Sequence, residues 1–408
     1  VAIGLVVVMV GLPARGKSWM ARHLARYIAW TGTPTRVFNV GDYRRAAAGA
    51  KVPASFFAPD NADGVRARRE AADRALTDLV VWLAEEGGVA IYDATNSTRS
   101  RRDEVRRRCA EAGADAVFVE MVCTDPDILD RNIRETKLLS PDYAGEDPEA
   151  AVADFRARIA NYERAAEPLG PDERPSIRLF DGGRRAELDD VHDTVPRRVV
   201  DFLVNTRMAN RTIYLSRHGQ SAFNVVGRIG GDAPLSEAGV HYARRLADHV
   251  AGFEERPRVW TSTLRRARQT GGIVGGSHAE RRALDEIDAG ICDGLTYPEI
   301  KERHPELYAA RKADKLHTRY PGGESYVDVV ERLIPLVLDL ERTAGPVLII
   351  SHQAVLRALL ACFLAVPRAH LPRLEVPLHT VIAVRRQGYG YVAAPTPLGP
   401  DVDKAASS

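Results

Sequence analysis

One octapeptide near the start of the chain constrains its fold more than any other feature. Gly11-Leu-Pro-Ala-Arg-Gly16-Lys17-Ser18 fits the pattern GxxxxGK[ST]. It follows a β-branched run at residues 5–10 and opens a stretch, residues 18–30, whose apolar side chains share one helical face. Strand, glycine-rich loop and helix, in that order, are the setting in which this pattern cradles phosphate. Backbone N–H groups of Gly11, Ala14, Arg15 and Gly16 can turn inward, and the helix start adds positive potential. Lys17 then neutralises β- and γ-phosphate oxygens, and the Ser18 hydroxyl ligates Mg²⁺. The plainer reading is a tight turn with no ligand; pattern and context together weigh against it.

The residues that follow alternate between the two periodicities. Strand-like runs at 37–40, 89–92 and 117–122 surround a helical pattern at 71–86 that stops at Gly87-Gly88. Such alternation predicts a parallel α/β sheet with helices on both faces, binding ligands at the carboxyl ends of its strands. Val89-Ala-Ile-Tyr-Asp93 is an apolar strand ending in an acid. Asp93 there faces the metal or acts as base; alternatively it caps a helix starting near Asn96. Thr95 and Asn96 sit beside it, placed to position a substrate. A phosphorylated substrate needs cations, and Arg44 and Arg45 follow the strand at 37–40. Arg101, Lys137, Arg158 and Tyr162 are further candidates. By spacing alone each of these reads more readily as a solvated surface residue.

A second start lies halfway along. The stretches 171–175 and 181–185 are turn-rich, and a helix over about 191–208 leads into a strand at 212–215. A boundary at 208–210 divides the chain into domains 1–208 and 209–392. The Pro/Gly/Ala-rich residues 393–408 read as a flexible tail. The second domain is again α/β, with a helix at 236–250, a short strand near Val259 and a late strand at 347–350. Arg217-His218-Gly219 directly follows the strand at 212–215. A neutral imidazole at His218 can attack phosphorus and form a phosphohistidine. Arg217 supplies charge-assisted hydrogen bonds to the phosphoryl oxygens, and Gly219 permits close backbone approach. The triplet alone is weak, but Arg266 after the strand near Val259 and His352 after the strand at 347–350 complete an anion site. Glu286, in Leu284-Asp-Glu-Ile-Asp-Ala-Gly290, is the candidate general acid, and a bound phosphate beside it would help it keep its proton. Asp288 and Asp293 are expected to hold local turns.

These motifs carry a resemblance to a known family. GLPARGKS with Gly41-Asp-Tyr-Arg-Arg45, Asp93-Ala-Thr-Asn96 and Ser140-Pro-Asp-Tyr143 resemble the kinase domain of the 6-phosphofructo-2-kinase/fructose-2,6-bisphosphatase family. Arg217-His-Gly-Gln-Ser221, Gly227-Arg-Ile-Gly-Gly-Asp232, Tyr320-Pro-Gly-Gly-Glu-Ser-Tyr326 and Ser351-His-Gln-Ala-Val-Leu-Arg357 resemble its bisphosphatase domain. The resemblance implies a P-loop kinase domain with a parallel sheet, followed by a histidine phosphatase (phosphoglycerate mutase-like) α/β domain. It implies that Lys17, Ser18 and Lys137 handle ATP and Mg²⁺, with Asp93 near the transferring phosphoryl. Arg44, Arg45, Arg101, Arg158 and Tyr162 would hold fructose 6-phosphate. In the second domain it makes His218 the nucleophile, His352 its assistant and Glu286 the acid, with no metal. Arg217, Arg266, Asn224 and Arg228 would line the reacting phosphate. Tyr297, Arg311, Lys315, Tyr326, Gln353 and Arg357 would bind the sugar and its second phosphate. Two positions depart from the family pattern. Gln220 stands where Glu is usual, and Ala58 where Arg is usual. A lost charged hydrogen bond costs about 1.5–3 kcal/mol. Ala58 therefore implies a kinase that is weak on fructose 6-phosphate, recruits a neighbour such as Arg66, or takes another sugar phosphate.

Composition sets the remaining expectations. The 408 residues are 45% hydrophobic and 27% charged, ordinary for a soluble globular chain. A net charge of +2 argues against a nucleic-acid binder. Four cysteines without a CxxC pair argue against disulfides and zinc and for a cytoplasmic setting. The apolar opening run is too short to span a membrane. The chain opens on Val1 rather than Met, so residues are expected ahead of it. A homodimer is compatible with the family. Rival functions are a non-catalytic nucleotide and sugar-phosphate sensor, which has no use for a general acid, and a phosphoglycerate mutase fused to a kinase.

Overall fold

Leu5–Val10 (β1) is buried along its whole length because a strand flanks it on each edge and helices cover both faces. In this computed structural model, which describes residues 2–137, 141–143, 145–192, 195–276 and 278–400 (without the side chains of 136 and 137), it pairs in parallel with β3, Val89–Asp93, and β4, Asp115–Val122. β2, Thr35–Asn39, lies beyond β3; β5, Ser176–Phe180, and β6, Arg185–Asp189, lie beyond β4. The order is β2-β3-β1-β4-β5-β6, parallel except for β6. Leu76, Leu79 and Leu83 of helix Ala62–Glu86 and Val105 and Cys109 of helix Arg99–Glu111 close the core over β1 and β3.

The second sheet follows the same logic. β7, Thr212–Arg217, pairs in parallel with β10, Val347–Ser351, which pairs in turn with β8, Arg258–Thr261, and β8 with β9, His278–Glu280. β11, Thr380–Gln387, runs antiparallel to β7, and β12, Gly390–Pro397, lies beside β11. Tyr242, Leu246 and Val250 of helix Glu237–Ala251 pack on Val259, Leu348 and Ile350. The chain divides into two compact units that meet in sequence at Met208 and Ala209.

Three expectations need correction. Residues 393–397 are not tail: they belong to β12, an exposed edge strand, and an edge tolerates the prolines that made the segment read as coil. The rest of the expected tail, from residue 401, lies outside the described residues. The helix before the boundary is shorter than expected, Arg197–Asn205. The long helix starts at Ala62, not residue 71, because the Asn61 side chain accepts from the Gly64 N–H and caps it.

Candidate active sites

At the carboxyl ends of β1, β2 and β3 the first unit holds a cavity of about 890 Å³, whose walls include Lys17, Ser18, Arg68, Asp93 and Tyr162. The loop after β1 is shaped by positive φ at Gly11 (130°), Ala14 (60°) and Gly16 (90°). A Cβ at Gly11 would sit 2.6 Å from the Met121 carbonyl oxygen, so only glycine fits there. Lys17, 7% exposed, donates to the Leu12 carbonyl at 2.6 Å and so lies folded against its own loop. Arg15 reaches Glu163 at 3.5 Å. The β2–β3 register sets Asn39 opposite Asp93. The Asn39 amide donates to Asp93 Oδ2, while its oxygen accepts from the Asp42 N–H at 3.1 Å. The next helix begins at Arg99, after Thr98, so the capping alternative for Asp93 falls away. Asn96 is 2% exposed and donates to the Met9 carbonyl.

The basic residues expected around the sugar phosphate differ in how they are occupied. Arg44 grips both oxygens of Asp142 at 2.9 Å and donates to the Gly49 and Ala50 carbonyls. Arg158 is held by Asp154 (2.9 Å), Asp142 (3.2 Å) and the Val52 carbonyl. Arg45 pairs with Asp42 and Asp142, and Arg101 with Asp73 and the Tyr92 hydroxyl. Burial disfavours charge on Arg45 and Arg101, yet their anionic and hydroxyl partners more than offset it. Arg68 is different. It lies 5.9 Å over the Tyr162 ring and donates to the Phe56 carbonyl, no carboxylate among the described residues faces it, and burial lowers its pKa. A half-buried cation without an anion is the arrangement that a phosphate completes. Tyr162 and Thr95 share the cavity wall. Arg66 pairs with Asp63 on the surface and does not line the cavity. The Lys137 side chain lies outside the described residues. Sequence reasoning missed Arg68 because it began the helix at residue 71. With Asn61 recognised as the cap, Val65, Arg68, Arg69 and Ala72 fall on one face, and all four line the cavity.

In the second unit strand register does the assembling. Arg217 pairs with Ser351, so His218 and His352 each stand one residue beyond the paired strand ends. Their rings lie 4.9 Å apart, centroid to centroid. His218 Nδ1 lies 2.7 Å from the Gly219 carbonyl oxygen, which can only accept. Nδ1 therefore carries the proton, and Nε2 presents a lone pair that accepts from Arg266 Nε at 3.1 Å. Arg266 also donates to the Gly231 carbonyl, and Arg217 to that of Val376. Burial first, then the two arginines, push both histidines well below the ordinary imidazole range, so both are neutral. Gly219 is required: a Cβ there would meet the Gly239 carbonyl oxygen at 2.3 Å. Gln220 fills the place of the family's Glu as an acceptor, its Oε1 receiving the Ser236 hydroxyl at 2.9 Å.

The Glu286 loop is pinned from two sides. Ser351 Oγ donates to the Leu284 carbonyl at 2.6 Å, and Arg332 donates to the carbonyls of Asp285 and Glu286. Asp288 and Asp293 accept from the Gly290 and Gly231 N–H groups, as turn holders do. Tyr297, Arg311, Lys315, Tyr326 and Arg357 gather close enough to perturb one another electrostatically, and Glu286 acts on three of them. Arg357 Nη1 reaches the Tyr326 hydroxyl at 3.2 Å, and Arg311 lies 3.6 Å over the Tyr320 ring. Gln353 opens helix Gln353–Phe363 beside His352. Burial, then Arg357 and Arg311, lower Lys315 to about 8. Asn224 is engaged as a cap, its oxygen accepting from Ser221. Arg228 is exposed and donates to the Gly294 carbonyl.

Known proteins divide the chain as these two sites do. The 6-phosphofructo-2-kinase family model matches residues 2–210, and the histidine phosphatase superfamily (branch 1) model matches residues 213–394. Among curated proteins named 6-phosphofructo-2-kinase/fructose-2,6-bisphosphatase, one from Arabidopsis thaliana is 48% identical over 93% of this chain and one from Caenorhabditis elegans 47% over 94%. The protein named 6-phosphofructo-2-kinase/fructose-2,6-bisphosphatase 3 from Homo sapiens is 45% identical over 94%. The matches cover 52%, 87% and 75% of those proteins, so this chain spans about half the length of the plant relative. With a phosphate-binding loop in one unit, a buried histidine pair in the other and relatives that match both, the chain belongs to the 6-phosphofructo-2-kinase/fructose-2,6-bisphosphatase family.

Proposed function

We propose that the chain makes fructose 2,6-bisphosphate from fructose 6-phosphate and ATP in its first unit and hydrolyses it in its second. The observation that carries this reading is the pairing, in one polypeptide, of a P-loop cavity containing an arginine with no carboxylate partner among the described residues and a buried neutral histidine whose Nε2 lone pair faces an arginine.

In the first unit Lys17 swings from the Leu12 carbonyl onto the ATP phosphates. The Ser18 hydroxyl and the Asp93 carboxylate are hard oxygen donors on the wall of one cavity and fit Mg²⁺ brought by ATP. When bound, that ion neutralises charge on the phosphate oxygens. Asn39 holds Asp93 Oδ2, which leaves Oδ1 for the ion or for the proton of the attacking hydroxyl. Arg68 takes the 6-phosphate with Tyr162 beside it, while Asp142 keeps Arg44, Arg45 and Arg158 in place around them. This position of Arg68 counts against the alternative that Ala58 leaves the kinase weak or redirects it to another sugar phosphate. Arg68→Ala will raise the KM for fructose 6-phosphate about 10- to 100-fold, equivalent to one charged hydrogen bond. It will leave the KM for ATP within about twofold. Steady-state kinetics with each substrate varied checks both.

In the second unit His218 Nε2 attacks the 2-phosphorus. The bond from phosphorus to the sugar oxygen breaks, and Glu286 gives that oxygen a proton. Water, deprotonated by Glu286, then attacks the phosphohistidine; the P–N bond breaks and Nε2 recovers its lone pair. Arg217 and Arg266 hold the phosphoryl oxygens in both steps. Arg311, Lys315 and Arg357 bind the 6-phosphate. Lys315 adds a pH dependence. As pH rises through about 8 the free enzyme loses that charge. The KM for fructose 2,6-bisphosphate will climb from neutral to alkaline pH, by up to about 10-fold, with kcat unaffected because the lost charge faces the phosphate that does not react. Lys315→Gln will raise KM at pH 7 and flatten the dependence; a wild-type KM that is level from pH 7 to 9 contradicts the assignment.

Among the described residues no disulfide joins the four cysteines, which suits a reducing, cytoplasmic setting. Among the described residues no helix is long and apolar enough to cross a membrane. The test of function is a panel. Sugar phosphates are offered with Mg·ATP, and the products are read by phosphorus NMR. A bisphosphate substituted at positions 2 and 6, formed from fructose 6-phosphate in preference to the rest of the panel, supports the reading. Product from another sugar alone overturns it.

A further inference from the structure

We infer that Ser262 is a positioning residue that fixes which nitrogen of His352 carries the proton, so that His352 meets the reacting phosphoryl group as an Nδ1–H donor. The inference deepens the phosphatase reading above and rests on it.

Strand register places the pair. Thr261 ends β8 opposite Ile350 of β10, so Ser262 stands level with Ser351 and next to His352. The Ser262 N–H donates to the Ile350 carbonyl at 3.2 Å and locks that position. Ser262 Oγ then lies 2.7 Å from His352 Nε2, and both residues are 0% exposed. The direction of this bond follows from counting. A serine hydroxyl has one proton to give and accepts elsewhere. Ser262 Oγ already accepts from the Leu264 N–H at 3.3 Å. Had His352 Nε2 been the donor, Ser262 would accept twice, and its own proton, on a fully buried side chain, would lack an acceptor among the described residues. Giving that proton to Nε2 satisfies both groups and leaves the imidazole proton on Nδ1.

Nδ1 is then the unfinished end. It is buried and has no hydrogen-bond partner among the described residues. Buried polar groups are rarely left so unless a ligand completes them. The ring stands 4.9 Å from that of His218, beside the place where phosphorus must sit for attack by His218 Nε2. A phosphoryl oxygen is the natural acceptor. Because burial and the neighbouring arginines keep His352 neutral, it donates from one nitrogen only, and the choice of nitrogen decides whether the contact exists. The two histidines thus use opposite supports. The Gly219 carbonyl, an acceptor, sends the His218 proton to Nδ1 and bares Nε2 for attack. The Ser262 hydroxyl, a donor, caps His352 Nε2 and arms Nδ1.

The test combines spectroscopy with kinetics. In the ligand-free wild-type chain, nitrogen NMR of labelled histidine will show His352 with a pyrrole-like Nδ1 and a pyridine-like Nε2. Ser262→Ala will shift His352 toward the other tautomer and lower phosphatase kcat about 100-fold, as loss of one donor to a developing anion does. Its KM will change far less. Ser262→Thr, which keeps the hydroxyl, will restore most of kcat. A KM for fructose 2,6-bisphosphate near that of wild type in the same variant reports that the second unit has folded. A wild-type His352 protonated on Nε2 overturns the inference even if no variant can be made, and so does a Ser262→Ala chain with wild-type kcat. Should the chain prove to lack phosphatase activity, the functional reading fails while the tautomer result still stands or falls separately.

Discussion

Replacing His218 by alanine will abolish hydrolysis of fructose 2,6-bisphosphate, by about 10⁴-fold or more, and leave the kinase reaction at its wild-type rate. The magnitude follows from what the residue supplies. Among the described residues of the second unit no other group combines a lone pair beside two arginine side chains with a neighbouring carbonyl that takes the opposite proton. Removing a nucleophile of this kind leaves the binding and electrostatic contributions of the site but not the covalent route. The selectivity follows from the fold: His218 belongs to the second sheet, and the P-loop cavity is built on the first. Wild type incubated with substrate labelled in the 2-phosphate and quenched in base will carry label on histidine; the variant will carry none. Label on another residue, with activity retained, would mean the nucleophile has been misassigned.

The second large effect concerns stability. Arg102 is 0% exposed and Glu173 1% exposed; they meet in a two-bond pair, Nε to Oε1 at 2.6 Å and Nη2 to Oε2 at 2.9 Å. Arg102 also donates to the carbonyls of Asn96, Glu167 and Pro168. It therefore ties helix Arg99–Glu111 to the loop after Asp93. Glu173→Ala strands a buried guanidinium, which costs about 3–5 kcal/mol. Burial alone would raise Glu173, but Arg102 and the Gly170 N–H outweigh it and hold the carboxyl below its ordinary value. A carboxyl depressed by folding stabilises the protein above its unfolded-state value, and that contribution is lost as pH falls through the folded one. The gap between wild type and variant will thus be full at pH 7 and close in acid. Denaturant titrations of both chains at neutral and acidic pH measure it. A gap under about 1 kcal/mol at pH 7 would show that the remaining carbonyl partners satisfy Arg102 unaided.

The parts of the two sites that read directly from sequence share one property: each is local. Gly11 to Ser18 declares a strand, a loop and a helix within a few residues, and Arg217-His218-Gly219 and Ser351-His352 each close a run of buried strand. What escaped depends on long-range placement. Ser262 acquires its partner only through the pairing of β8 with β10. Asn39 meets Asp93 only through the pairing of β2 with β3. Arg68 turns inward only if the helix begins at the Asn61 cap. Asp142 draws in Arg44, Arg45 and Arg158 from two other segments of chain, so that residues expected to await a phosphate are already engaged.

Two of the strands missed from sequence fail for a compositional reason. Arg185–Asp189 is polar and largely exposed, and Gly390–Pro397 carries glycine and two prolines; both lie at sheet edges, where burial writes no alternating pattern. The central strands, buried on both faces, announce themselves as unbroken apolar runs.

The central claim is that one chain makes and destroys the same sugar bisphosphate. The most direct test follows the wild-type chain and His218→Ala with Mg·ATP and fructose 6-phosphate, recording fructose 2,6-bisphosphate and ADP together. In wild type the bisphosphate will reach a plateau while ADP continues to rise, because synthesis and hydrolysis then run at equal rates. In the variant, bisphosphate and ADP will rise one for one with no such plateau. If wild type makes no bisphosphate, or its ADP stops when the bisphosphate levels off well short of equilibrium, the two units do not act on a common metabolite and the account is wrong.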